Sequence, residues 1–174
     1  RRTVSACAQG LWPRSAAGVP VNFEPFDTNV IVRRLQAQAQ GLHLVGSAAD
    51  YAAVKELRSF RTPSAYVVFA DEENTVTLPT TFCTVQVQTK VQFGVVLALR
   101  NYQEQLGGQM GEEARKLIGQ VRSALIGFQP TGKGANVVNW QAGAVLDYDA
   151  SVLLFADRYE VQHTLQRAPG AGRC

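Results

Sequence analysis

A chain of 174 residues, 46% hydrophobic and 18% charged, has the make-up of one ordinary globular domain with room for an arm beside it. Its net charge of +3 is spread thinly: Arg1-Arg2, Arg33-Arg34 and Arg115-Lys116 are the only adjacent basic pairs, which argues against a nucleic-acid-binding face. Cys7, Cys83 and Cys174 lie far apart without ligand spacing, so neither a zinc site nor a disulfide framework is supported, and a reducing compartment is the simplest reading. No apolar run approaches the ~18 residues of a membrane span.

Residues 1–26 show no periodicity and carry three prolines among small residues, the pattern of an extended arm. Trp12, Phe23 and Phe26 could anchor such an arm on a neighbour, or it could be a loose tail. The folded domain is placed at 27–167, with 168–174 as a flexible end. Asp27 or Thr28 can cap a first helix through Gln40, with Gly41 as its stop. A short strand follows at 42–45. Asp50 is a plausible cap for a second helix to Arg58, with Tyr51, Val54 and Leu57 at helical spacing. Beyond Pro63 the run SAYVVFA (64–70) reads as a buried strand, and DEENTVTLPTT (71–81) as an acidic loop.

The most distinctive stretch comes next, TFCTVQVQTKVQFGVVLALRNY (81–102). Val87, Thr89, Val91 and Phe93 alternate with Gln86, Gln88, Lys90 and Gln92, and beyond Gly94 the chain is apolar on both faces. One strand from Thr84 to Arg100 would be about 55 Å long at about 3.3 Å per residue. Either its glutamine-rich half projects from the domain as a contact surface, or Gly94 marks a bulge that turns a sheet corner.

A glycine-rich connector (101–111) leads to the clearest helix, Glu112 to Gly127, whose inner face is Ala114, Leu117, Ile118, Val121 and Leu125. Three strand-like segments close the chain: 137–140, 144–149 and 152–166. The last alternates Tyr159, Val161 and Leu165 against Arg158, Glu160 and Gln162, and is suited to pair antiparallel with the long strand. The expected fold is α+β: one mainly antiparallel sheet with long strands, packed by two or three helices.

Chemistry is hard to assemble. Gly127, Gly132 and Lys133 approximate a phosphate-binding loop, but Gly134 stands where Ser or Thr should hold magnesium, and a helix precedes where a strand should. Asp147 and Asp149 could form a carboxylate pair, yet they adjoin an expected turn, where aspartate is common. His43 and His163 lack triad or ligand partners. No catalytic, cofactor-binding or metal-binding residue is assigned.

Four segments in order, LHLVGSAADYAAVKELRSFRTPSAYVV (42–68), FGVVLALRNY (93–102), RSALIGFQP (122–130) and GAVLDYDASVLLFADRYEV (143–161), resemble bacteriophage tail terminator proteins. The likeness runs from about Asp27 to Gln166 and omits the first 26 residues. It implies a structural virion protein of the tail neck, assembled in the host cytoplasm. Copies would close into a ring, expected to be a hexamer, on the head-proximal end of the tail tube. The ring would stop tube polymerisation and dock head-completion or neck proteins, while genome DNA passes through its lumen without specific recognition.

The candidate ring and tube contacts are Gln86, Gln88, Lys90 and Gln92 on the strand, Asp71, Glu72 and Glu73 at one end, and Arg100, Tyr102 and Gln103 at the other. Trp12 and Phe23 would anchor the arm. A different head–tail adaptor and a small soluble enzyme are the competing readings.

Overall fold

The computed structural model describes residues 23–78, 86–100, 111–130 and 136–166. In chain order these form α1 (Asn29–Gln38), β1 (Leu44–Ser47), α2 (Ala48–Ala53), a 3-10 turn (Leu57–Ser59), β2 (Ser64–Leu78), β3 (Gln86–Arg100), α3 (Glu112–Leu125), β4 (Asn139–Tyr148) and β5 (Val152–Gln166). The strands make one sheet in the order β1-β2-β3-β5-β4. β1 runs parallel to β2, and every other pairing is antiparallel. This is the expected α+β architecture.

The two long strands pair as their alternation predicts. β3 and β5 are in unbroken register for fifteen residues, from Gln86 opposite Gln166 to Arg100 opposite Val152. Gly94 is therefore not a bulge. It stands in regular register with both Val68 and Arg158. The irregularities fall on the neighbouring strands instead, on β2 between Phe69 and Asp71 and between Asn74 and Val76, and on β4 between Trp140 and Ala142 and between Val145 and Asp147. A glycine in regular register bends nothing by itself; the extra residue must sit in a strand whose partner lacks it.

The sequence reading needs four corrections. Residues 71–78 are not loop but the second half of β2, because the backbone of β3 offers them a ladder and the two bulges absorb the broken alternation. The segments 137–140 and 144–149 are largely one strand, β4, with Gly143 inside it. The second helix is shorter than expected and starts earlier. Its N-cap is Ser47, and Asp50 sits three residues in, accepting the Ser47 N–H at 2.6 Å and its hydroxyl at 2.9 Å. Those bonds hold the Asp50 carboxyl below its ordinary range. Finally, Phe26 does not reach a neighbour. It is buried in this domain's core, stacked on Phe93 and edge-on to His163.

Helices α1 and α3 cover one face of the sheet. Ile31 and Leu35 from α1, and Ile118, Val121 and Leu125 from α3, pack on Ala65, Val67, Val91, Phe93, Val95, Leu97 and Leu99. α2 and the 3-10 turn cover part of the other face, where Tyr51, Leu57 and Phe60 meet Tyr66, Val96, Ala98 and Leu154. The apolar half of β3 is thus sandwiched, which explains why it has no polar side. The second cover ends near Val68, Val96 and Ala156, and from there the outward side chains of β3 are Gln92, Lys90 and Gln88.

Gly143 lies under a crowded spot. A Cβ there would fall 2.6 Å from Asp157 Oδ1, 2.7 Å from Arg122 Nη2 and 2.9 Å from Phe155 Cζ. Gly143→Ala is expected to lower stability by about 1–3 kcal/mol through overpacking. Gly94→Ala, whose Cβ would meet only backbone oxygens at 3.8 and 4.0 Å, is expected to leave stability unchanged or slightly raised. Parallel thermal melts of the two variants check this; equal losses would contradict the packing described.

Candidate assembly surface

The uncovered half of the sheet is built by β2, β3 and β5. Because β1 pairs only with Ser64 to Val67, the rest of β2 is an open sheet edge among the described residues. Asp71 stands opposite Gln92 and Glu73 opposite Lys90, so both acids share the polar face with the glutamines, and both are exposed. Lys90 binds Glu160 across to β5 at 2.9 Å, and this bond raises the lysine above its ordinary pKa. Gln88 and Gln162 are exposed on the same face, and Gln86 joins the ladder at its far end.

Glu72 departs from this set. It points to the helix-covered face, where it accepts the Thr89 hydroxyl at 2.7 Å and faces the Phe26 N–H at 3.4 Å. Its carboxylate thus seats the start of the domain rather than facing a partner. Arg100 is exposed at the opposite end of β3, fourteen residues from Gln86, so the strand keeps these two groups of candidates apart. Phe23 is 45% exposed beside the domain's first residues. Trp12, Tyr102 and Gln103 lie outside the described residues.

A second feature was not read from the sequence. Asp157, fully buried on β5, receives two bonds from Arg122 of α3, Nε to Oδ2 at 2.9 Å and Nη2 to Oδ1 at 2.8 Å. Trp140 Nε1 donates to Oδ1 at 2.8 Å, and the Tyr159 hydroxyl lies 3.3 Å from Oδ2. The Arg122 guanidinium stacks over the Trp140 ring at 4.7 Å. Three elements, α3, β4 and β5, are tied by one carboxylate. The signal was available: the β5 alternation that turns Tyr159 and Val161 inward also turns Asp157 inward.

This cluster is structural in its chemistry. Burial, reinforced by the Asp157 charge, pushes the Tyr159 hydroxyl far above its ordinary range. An unfolded tyrosine loses its proton near pH 10. Between that pH and the folded value the native state holds the extra proton, so this contribution is whole below about pH 10 and drains as pH rises further. An alkaline spectrophotometric titration should show a phenolate step that coincides with unfolding and is missing in Tyr159→Phe. A Tyr159 that ionised near pH 10 in the intact fold would contradict this environment.

The remaining candidates for chemistry resolve into ordinary roles. Asp149 closes the β4–β5 turn by accepting the N–H groups of Ser151 at 2.6 Å and Val152 at 2.7 Å, which holds its carboxyl below the usual range, and it pairs with Arg58 at 3.4 Å. Asp147 accepts the N–H of Tyr148 at 2.8 Å. His163 is half-buried against Phe26, and His43 is exposed. Among the described residues no group of three or more His, Cys, Asp or Glu could hold a metal ion, and no helix is long and apolar enough to cross a membrane.

One more surface stands out. Of the eight exposed large hydrophobic residues described, six lie between positions 126 and 148: Ile126, Val137, Trp140, Val145, Leu146 and Tyr148. β4 is the last strand of the sheet, and its outer edge has no partner strand among the described residues. Exposed apolar side chains gathered along a sheet edge mark a place where protein meets protein.

Fold and surface together define a small α+β protein whose conspicuous features are suited to protein contact. The phage tail terminator protein family matches residues 21–170, nearly the whole chain and all of the sheet. The chain belongs to that family and is a structural component of the phage tail. No curated protein matches it.

Proposed function

We propose that copies of this chain close into a ring, expected to be a hexamer, that caps the head-proximal end of the tail tube in the neck region. The ring halts tube polymerisation and presents its other face to head-completion or neck proteins, and genome DNA passes through its lumen without specific recognition. Assembly takes place in the host cytoplasm, ahead of head joining.

The observation that carries this reading is the family match, which spans the sheet, both covering layers and the polar half of β2, β3 and β5. Termination in this view is a binding event. One ring face must match the tube end while the other refuses a further tube ring, which is specificity by mismatch as much as by fit. The two ends of β3 supply two different surfaces for that purpose, the glutamine-rich one around Gln88 and Gln92, and the one at Arg100.

The test is a tube-growth assay. Purified tail tube protein is polymerised with and without the chain, and tube lengths are measured by electron microscopy. Arrested growth with density at a single tube end is the expected result. Tubes of unchanged length with bare ends would overturn the proposal.

A further inference from the structure

Resting on the ring reading, we infer that the ring contact is edge to edge and head to tail: the β4 edge of one copy seats the open β2 edge of the next. The two edges differ in ways that fit each other. β4 has ten residues and is about 33 Å long, and β2 from Val68 to Leu78 is about 36 Å at the same rise. The β4 side is apolar, with Trp140, Val145, Leu146 and Tyr148 exposed and Asp147 the one charge within the strand. Of the remaining two exposed large hydrophobics described, Phe23 precedes α1 and Phe69 lies on β2 itself.

Charge separates the edges in a complementary way. Asp71 and Glu73 on the open stretch of β2 are exposed and make no ion pair among the described residues. Arg115 and Arg158, which flank β4 from α3 and β5, are likewise exposed and without a described ion pair. Arg158 stands directly opposite Ala142 of β4. Arg115 lines an open groove of about 250 Å³ with Ile118, Gly119, Arg122 and Phe155, and a Cβ on Gly119 would meet nothing within 4 Å. Arg158 lies on the same face of the sheet as Asp71 and Glu73, so an acidic edge from a second copy finds it beside the apolar strip, while Arg115 flanks the strip on the helix-covered face.

Size and symmetry agree. A strip about 33 Å long and two layers deep, at about 10 Å per layer, offers roughly 700 Å², close to the ~800 Å² per partner of a stable interface. The other end of the sheet is blunted: β1 has four residues, and the Gln36 side chain already donates to the Val45 carbonyl at 3.3 Å. Two unlike edges on one subunit make a heterologous contact, which propagates in one direction and closes into a ring where the rotation per subunit completes a full turn. Bulges on both edges mean that side chains, rather than a continuous backbone ladder, carry the fit.

Two variants test this. Leu146→Glu/Tyr148→Glu spoils the β4 edge and Asp71→Arg/Glu73→Arg spoils the β2 edge; all four positions are exposed, and matching thermal melts confirm the fold. Sedimentation velocity should show each variant alone as a monomer and an equimolar mixture as a 1:1 dimer, since one good edge of each kind remains. A chain combining Asp71→Arg/Glu73→Arg with Arg158→Glu should recover assembly. If both edge variants keep the wild-type oligomer, or the mixture stays monomeric, the edge pairing is wrong while the ring reading stands. A wild-type chain that is itself monomeric and also fails to cap purified tail tubes would remove the ring reading instead.

Discussion

Replacing Arg122 by methionine is expected to cost about 3–5 kcal/mol of stability, among the largest effects of any single substitution here. The reason is asymmetry. Asp157 is completely buried, and Arg122, at one-third side-chain exposure, is the partner that still touches water. Removing the arginine strands a carboxylate with only the Trp140 and Tyr159 donors, and a buried charge without its counter-ion is costly. Asp157→Asn should be milder, at about 1–3 kcal/mol, because the arginine left behind can hydrate and an amide can keep part of the bonding. Urea denaturation of the two variants decides between this account and a merely geometric role. Equal losses, or a larger loss for Asp157→Asn, would contradict it.

Phe93→Ala is the second large effect, at about 3–5 kcal/mol. Phe93 is fully buried at the centre of a three-ring stack, 6.3 Å from Phe26 and 5.5 Å from Tyr159. Its loss leaves a cavity and also unseats Phe26, which connects residues 23–28 to the sheet. Hydrogen exchange should therefore speed up at the start of α1 as well as in β3. A variant that lost stability without faster exchange at residues 23–28 would show that Phe26 is held by other contacts, the Glu72 bond foremost.

These two sites mark what the sequence could and could not convey. The β3–β5 pair was legible because both strands keep strict alternation over many residues, and period two fixes the face of each side chain. α3 was legible for the same reason at a period of 3.6. Residues 71–78 read as loop because three acids and an asparagine in a row resemble a turn, and what makes them strand is a neighbour that supplies hydrogen bonds, a long-range fact. The alternation at 137–149 reads as two pieces, 137–140 and 144–149, with Gly143 between them; position 143 is glycine because Asp157, Arg122 and Phe155 leave no room for a Cβ.

The candidate surface was legible only in part. The glutamine side of β3 could be read from alternation, and Asp71 and Glu73 join it even though their segment had been taken for loop. Glu72 could not be separated from its neighbours until the bulge at Ala70 set its phase. The apolar β4 edge was invisible in principle, since a strand's place at the margin of a sheet follows from strand order, and strand order is decided by packing across the whole domain.

The most direct test of the central claim is native mass spectrometry of the full 174-residue chain over a range of concentrations. A ring closed by two unlike edges predicts one discrete oligomer, expected at six copies, with no larger species as concentration rises. A strict monomer at every concentration that also leaves purified tail tubes uncapped, or an open ladder of ever larger oligomers, would contradict it.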